Sequence, residues 1–131
     1  MSRVGISASY LFVDSRVHDF PASPELVGRR LPQVPRQQFN LQLRYRPDDR
    51  WFFGIQSRAS SGQFEDDLNT LRLRPYIAVD ASSSFRVRKG VEIYGAAENI
   101  FNSRYDVGLT PARTVGPPFA VRMGIRFNFS E

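Results

Sequence analysis

The chain has 131 residues, no cysteine and one histidine, and its eighteen Lys+Arg against thirteen Asp+Glu leave a net charge of +5. That length suits about one domain, and the lack of ~20 consecutive apolar residues excludes a helical membrane span. Without cysteine there is no disulfide framework, thiolate metal site or cysteine nucleophile. An aromatic content of 13% marks a chain that folds. The basic balance, with a pI near 10.2, leaves nucleic acid, an acidic ligand and an anionic membrane surface open as partners. Met1 to Gly5 lacks the basic region and the apolar stretch of about 7–15 residues that make a signal peptide. The expectation is either a cytoplasmic protein or a piece of a longer chain.

Period-two alternation runs through almost the whole sequence, and helical periodicity is absent, so the predicted class is all-β. In the first strand Val4, Ile6, Ala8, Tyr10 and Phe12 share one parity, opposite Arg3, Gly5, Ser7 and Ser9. The second sets Phe39, Leu41, Leu43 and Tyr45 against Gln38, Asn40, Gln42 and Arg44. A tight polar turn, Pro47 to Arg50, leads to a third strand with Trp51, Phe53 and Ile55 opposite Gln56 and Arg58. A fourth is predicted from about Thr70 to Arg86, with Leu71, Leu73, Ile77 and Val79 against Arg72, Arg74, Asp80 and Ser82. After the turn Arg88-Lys89-Gly90 comes a fifth, Val91 and Ile93 against Glu92, Tyr94 and Glu98. The last carries Phe119, Val121, Met123, Ile125, Phe127 and Phe129 opposite Arg122, Gly124, Arg126 and Asn128.

The connections alternate in length: short after the second and fourth strands, long at Ser15–Gln37, Ser61–Asn69 and Asn102–Pro117. An up-and-down membrane barrel shows this pattern when its two rims face different compartments. The charges agree, because Arg44, Arg58, Arg72, Arg74, Glu92, Glu98, Arg122 and Arg126 all fall on the polar parity. Aromatics fringe the apolar parity at both ends, with Tyr45, Trp51, Phe85, Phe127 and Phe129 towards one rim and Tyr10, Phe12, Phe101 and Phe119 towards the other. Two such belts around aliphatic centres match the girdles of a membrane barrel, whose strands need about 9–11 residues to cross.

Several stretches resemble a known family. Arg122-Met123-Gly124-Ile125-Arg126-Phe127-Asn128-Phe129 resembles the terminal β-signal read by the barrel-assembly machinery, with Arg122, Gly124, Phe127 and Phe129 at its defining positions, although Ser130 and Glu131 follow. Gly28-Arg29-Arg30-Leu31-Pro32-Gln33-Val34-Pro35-Arg36, Gly62-Gln63-Phe64-Glu65-Asp66-Asp67-Leu68-Asn69 and Glu98-Asn99-Ile100-Phe101-Asn102-Ser103-Arg104-Tyr105 are similar to late-strand motifs of TonB-dependent outer-membrane receptors. Their order, ending in the β-signal, covers nearly the whole chain.

The resemblance implies an antiparallel up-and-down transmembrane β-barrel, of which residues 1–131 supply about the last six strands out of 22, with the plug domain absent from this sequence. It implies transport in the bacterial outer membrane: uptake of a ferric siderophore, cobalamin or a similar metal-chelate ligand, energised through TonB by way of the missing amino-terminal part. The implied partners are the protein's own plug domain, the remaining barrel strands, the barrel-assembly machinery and the lipid bilayer, with no nucleic acid, no cofactor and no catalysis. On this reading Arg44, Arg58, Arg72, Arg74, Glu92, Glu98, Arg122 and Arg126 form a polar lumen wall.

Three competing readings follow from the residues themselves. Glu65, Asp66 and Asp67 place several oxygens close enough for a cation, though a solvated loop tip beside Gly62 is the plainer account. His18 with Ser15 and Asp14 or Asp19 holds the residue types of a catalytic triad, but neighbours on one loop rarely converge in space as a triad must. A small basic soluble β-barrel binding nucleic acid or a small ligand is the alternative of another class; it needs arginines and aromatics on one face, and here only Phe52, Tyr76 and Tyr94 share the arginine parity.

Overall fold

The structure, a computed structural model, describes residues 3–128. Six strands form one antiparallel sheet in the order β1 (Val4–Phe12), β2 (Gln37–Tyr45), β3 (Trp51–Ser60), β6 (Tyr76–Arg88), β7 (Val91–Glu98) and β10 (Ala120–Phe127). Each large strand pairs with the next large strand along the chain, so the connections alternate between the two ends of a meander. Two small hairpins sit in the long loops: β4 (Gln63–Phe64) with β5 (Arg72–Leu73), and β8 (Asp106–Gly108) with β9 (Thr114–Val115). A single 3-10 turn, Pro24–Leu26, lies in the first long loop.

The register carries the period-two pattern across all six strands. One row reads Ile6, Leu43, Ile55, Ala81 and Ala97, then Val121 on β10. The adjacent row reads Gly5, Arg44, Gly54, Ser82, Ala96 and Arg122. Because successive strand residues face opposite ways, one side of the sheet is predominantly apolar, broken by Ser57 and Ser83, and the other is predominantly polar. At the short-turn end the apolar side carries an aromatic run, with Trp51 tilted against Phe85 at 4.5 Å and stacked on Phe53 at 5.4 Å.

Among the described residues no second layer covers either side. Buried apolar residues among those described are Leu73, Ala78 and Tyr105, all at the long-loop end, whereas Ile6 is 70% and Met123 80% exposed. A water-soluble sheet must bury its apolar face against another layer. This one leaves that face open.

The predicted fourth strand needs correction. Thr70 to Arg74 do not extend β6: Arg72 and Leu73 turn back to pair with Phe64 and Gln63, and β6 starts at Tyr76. Pro75 separates the two, since its lack of an N–H interrupts a ladder. Arg72 and Arg74, expected on the polar wall, therefore stand in the loop region outside the six-stranded sheet. Phe129 lies outside the described residues.

Candidate functional site

The polar side of the sheet collects charged residues that are far apart in sequence. Arg58 on β3 meets Asp80 on β6 at 3.0 Å, Arg122 on β10 meets Glu98 on β7 at 2.6 Å, and Arg126 meets Glu92 at 3.3 Å. These are cross-strand neighbours on one face, so opposite charges stabilise the pairing modestly. The Arg44 guanidinium lies over Gly5 instead, and no carboxylate lies within ion-pair distance of it among the described residues. Between Arg44 and Arg122 the row consists of Gly54, Ser82 and Ala96, small residues that hollow the wall. Of the eight residues expected on this wall, six share the polar face of the sheet, and Arg72 and Arg74 do not.

The terminal strand shows why its glycine matters. A Cβ at Gly124 would lie 2.5 Å from the Tyr94 hydroxyl oxygen and 2.6 Å from the adjoining ring carbon, so the Tyr94 ring occupies the space that a side chain would fill. Arg126 then stands 5.4 Å over that ring. Tyr94, Gly124 and Arg126 form one cross-strand unit, with an aromatic covering the glycine of its neighbour and a cation over the aromatic face. Phe127 lies on the apolar side, opposite Val91. β10 and β1 are the two edges of the sheet.

The long-loop end is built on polar side chains bonded to backbone. Asn69 sits at φ 59°, accepts from the Arg30 N–H at 2.7 Å and donates to the Arg30 carbonyl at 2.9 Å. Asparagine is among the few residues that take this conformation readily. The Glu65 carboxylate reaches the third loop, accepting the Leu109 N–H at 2.5 Å and the Thr110 N–H and hydroxyl at 3.1 Å. Asn99, only 3% exposed, holds Ser103 through both N–H and carbonyl and donates to the Pro117 carbonyl at 2.8 Å. Its own N–H goes to the Asp80 carboxylate, which ties the loop to the charged wall. Tyr105 stacks on Tyr76 at 4.0 Å, and burial followed by the neighbouring Tyr76 raises its phenol pKa.

These contacts decide between the competing readings of the loops. Asp66 closes its own turn by accepting from the Thr70 hydroxyl and N–H and from the Leu71 N–H. Desolvation pushes its carboxyl up, but those bonds outweigh it and hold the pKa at about 2. Glu65 and Asp66 thus spend their oxygens on N–H and O–H donors, and no acidic or histidine cluster fit for a metal occurs among the described residues. Asp14 is engaged by Arg16 at 3.4 Å and Arg36 at 3.7 Å, and no hydrogen bond joins it to His18 among the described residues. Sequence reasoning singled out the stretches containing Glu65, Asn69 and Asn99 but missed their role as latches. The available signal was an asparagine in two of these motifs, Asn69 and Asn99, a residue suited to φ above zero.

A family model described as TonB dependent receptor-like, β-barrel matches residues 2–100. The chain belongs to that family of outer-membrane β-barrel receptors. Its fold is that of solved receptors. The siderophore receptor PiuA from Acinetobacter baumannii matches with a TM-score of 0.83 at 21% identity, over 97% of this chain and 20% of that one. The ferric citrate transporter FecA matches with a TM-score of 0.83 at 22% identity, over 95% and 21%. The copper transporter OprC matches with a TM-score of 0.70 at 17% identity, over 97% and 21%. The chain therefore spans about a fifth of the length of these structures. Membership of an outer-membrane receptor family sets aside the soluble nucleic-acid module.

Proposed function

We propose that residues 1–131 are the carboxyl-terminal portion of the barrel of an outer-membrane receptor that takes up a scarce metal chelate, such as a ferric siderophore, or cobalamin, with energy relayed through TonB. The observation that carries this reading is the single-layer meander, apolar on one side and charged on the other, that matches a fifth of a siderophore receptor at a TM-score of 0.83. On this reading the apolar side faces lipid, and Arg44, Arg58, Glu92, Glu98, Arg122 and Arg126 face the lumen. The plug domain and the other strands come from the rest of the receptor, and the edges β1 and β10 pair with those strands, since an open edge is a liability in any sheet. Arg122, Gly124, Phe127 and Phe129 serve as the signal for the barrel-assembly machinery.

The test is uptake. Deleting the gene that encodes the full receptor should abolish accumulation of one iron chelate or of cobalamin by whole cells, and an energy-uncoupled strain should bind that compound without accumulating it. Normal uptake of every ferric siderophore, ferric citrate and cobalamin in the deletion strain would overturn the substrate class. Removing Phe129 should lower the outer-membrane level of the receptor, and an unchanged level would remove the assembly role.

A further inference from the structure

The short turn between β6 and β7 sends one cation to a side of the sheet that its place in the sequence does not foretell. Counted by twos, Arg88 belongs with Ser82, Ser84 and Arg86 on the polar side. The register breaks just before it: Arg86 pairs with Glu92 but Arg88 pairs with Val91, so Val87 is an extra residue on β6, a β-bulge. A bulge sets two residues against one partner and re-aims a side chain. Residues directly opposite each other share a face, and Val91, which also pairs with Phe127, belongs to the apolar side. Arg88 is thereby turned to the apolar side, beside Val87 and Val91. The surroundings agree: Arg86 lines an open basin on the polar side together with Arg50, Asp48, Asp49 and Glu92, and Arg88 and Lys89 do not line it. The turn itself is pinned, since Gly90 takes φ 81° and its carbonyl accepts the Asn128 N–H at 2.8 Å.

We propose that Arg88, with Lys89 beside it in the turn, holds the phosphate of an anionic phospholipid in the leaflet at the short-turn end. This rests on the barrel reading above and adds to it a headgroup chemistry that an apolar face does not by itself require. Both cations are exposed, and among the described residues neither has a carboxylate within ion-pair distance. The described carboxylates of this end, Asp48, Asp49 and Glu92, line the basin on the other side of the sheet. The depth also suits a phosphate. Trp51 and Phe85 belong to the aromatic belt of this rim, and such belts sit at headgroup level. At about 3.3 Å per residue, Arg88 stands at most roughly 10 Å beyond Phe85 towards the rim, and a long cationic side chain keeps its head at the polar boundary while its stem lies on apolar surface. The neighbours select the occupant. A free anion would satisfy the guanidinium fork, but a lipid also covers Val87 and Ile93, which are about half exposed, with its acyl chains.

The experiment reads lipid occupancy of the full-length receptor, purified from outer membranes in mild detergent, by native mass spectrometry with added phosphatidylglycerol or phosphatidylcholine. The wild type should retain phosphatidylglycerol in preference. Arg88→Gln with Lys89→Gln should weaken that binding about fivefold or more, the effect of losing cations at a charged membrane surface. Arg50→Gln with Arg86→Gln, which removes as much charge from the polar side of the same rim, should leave it unchanged. Equal retention of the two lipids by the wild type overturns the proposal, and that result needs no variant to assemble. So does undiminished binding in the turn variant, equal loss in both variants, or complete displacement of the lipid by inorganic phosphate, which would make the site one for a free anion. If the receptor takes up its chelate while the turn variant binds lipid as before, this inference fails alone; if only the Arg50 and Arg86 variant loses the lipid, the faces are inverted and the barrel reading fails with it.

Discussion

The two ends of the sheet are held together by different chemistry. At the short-turn end the chain reverses in a few residues, and the strands continue their ladder almost to the turn: the Arg86 N–H bonds the Arg50 carbonyl, and Gly90 takes φ 81° to close the tighter reversal. There the side chains contribute packed aromatics on one side and a group of arginines on the other. At the long-loop end no ladder is available to long connections, so side chains supply the backbone partners: Asn69 for Arg30, Glu65 for Leu109 and Thr110, Asn99 for Ser103 and Pro117. Some charges there are paired directly, as Arg113 is with Asp106 at 2.7 Å. A backbone group shielded from water without a partner costs about 1–3 kcal/mol. Loops that lack a ladder therefore recruit Asn, Asp and Glu, while turns that have one are free to leave their charges for another purpose.

The contrast can be broken most severely on the apolar side of the wall. Val121→Arg in the full-length receptor should destabilise the barrel by ~2–4 kcal/mol if the site lies near the bilayer midplane, read as a lower urea midpoint in vesicles, while Arg122→Leu on the opposite parity should cost far less. The reverse ranking would invert the faces. Next in size, Asn99→Ala strips partners from Ser103 and Pro117 in a nearly buried position and should lower the protection of the 99–119 loop by roughly 3 kcal/mol, with the short-turn end unmoved. Equal loss at both ends would mean that the latches support the whole sheet.

Gly124→Val tests the wall from within. The new side chain must displace Tyr94, and overpacking of this kind costs roughly 1–3 kcal/mol; combining it with Tyr94→Ala should recover part of the loss, and no recovery would refute the contact. The smallest effect is pH-dependent. Asp66 is held at about 2 against an ordinary 3.8, so its turn is fully supported above pH 4 and loses that support as pH falls through about 2. The carboxyl carbon shift of Asp66 should titrate with that low midpoint, and Thr70→Val should raise it.

Much of the wall was legible in the sequence because a strand has a two-residue period and the charged residues of the main strands keep to one parity. Arg44, Arg58, Glu92, Glu98, Arg122 and Arg126 could be assigned to one side without knowing which strands touch. The same rule failed at Arg72 and Arg74, where alternation runs on past Pro75 although the backbone turns back. The latches had no comparable signal: Glu65 bonds 44 residues away and Asn69 39 residues away, and single side-chain contacts at such separations leave no period to detect.

The sequence by itself determined the faces, the alternation of short and long connections, and the family, because all three are properties of spacing along one chain. Only the tertiary structure decided which charges are neutralised. Arg58, Arg122 and Arg126 meet carboxylates because the register brings Asp80, Glu98 and Glu92 beside them. Arg50 and Arg86 come together at the short-turn end with no carboxylate within ion-pair distance among the described residues. Coulomb energy depends on distance in space, and distance in space is what pairing of strands creates.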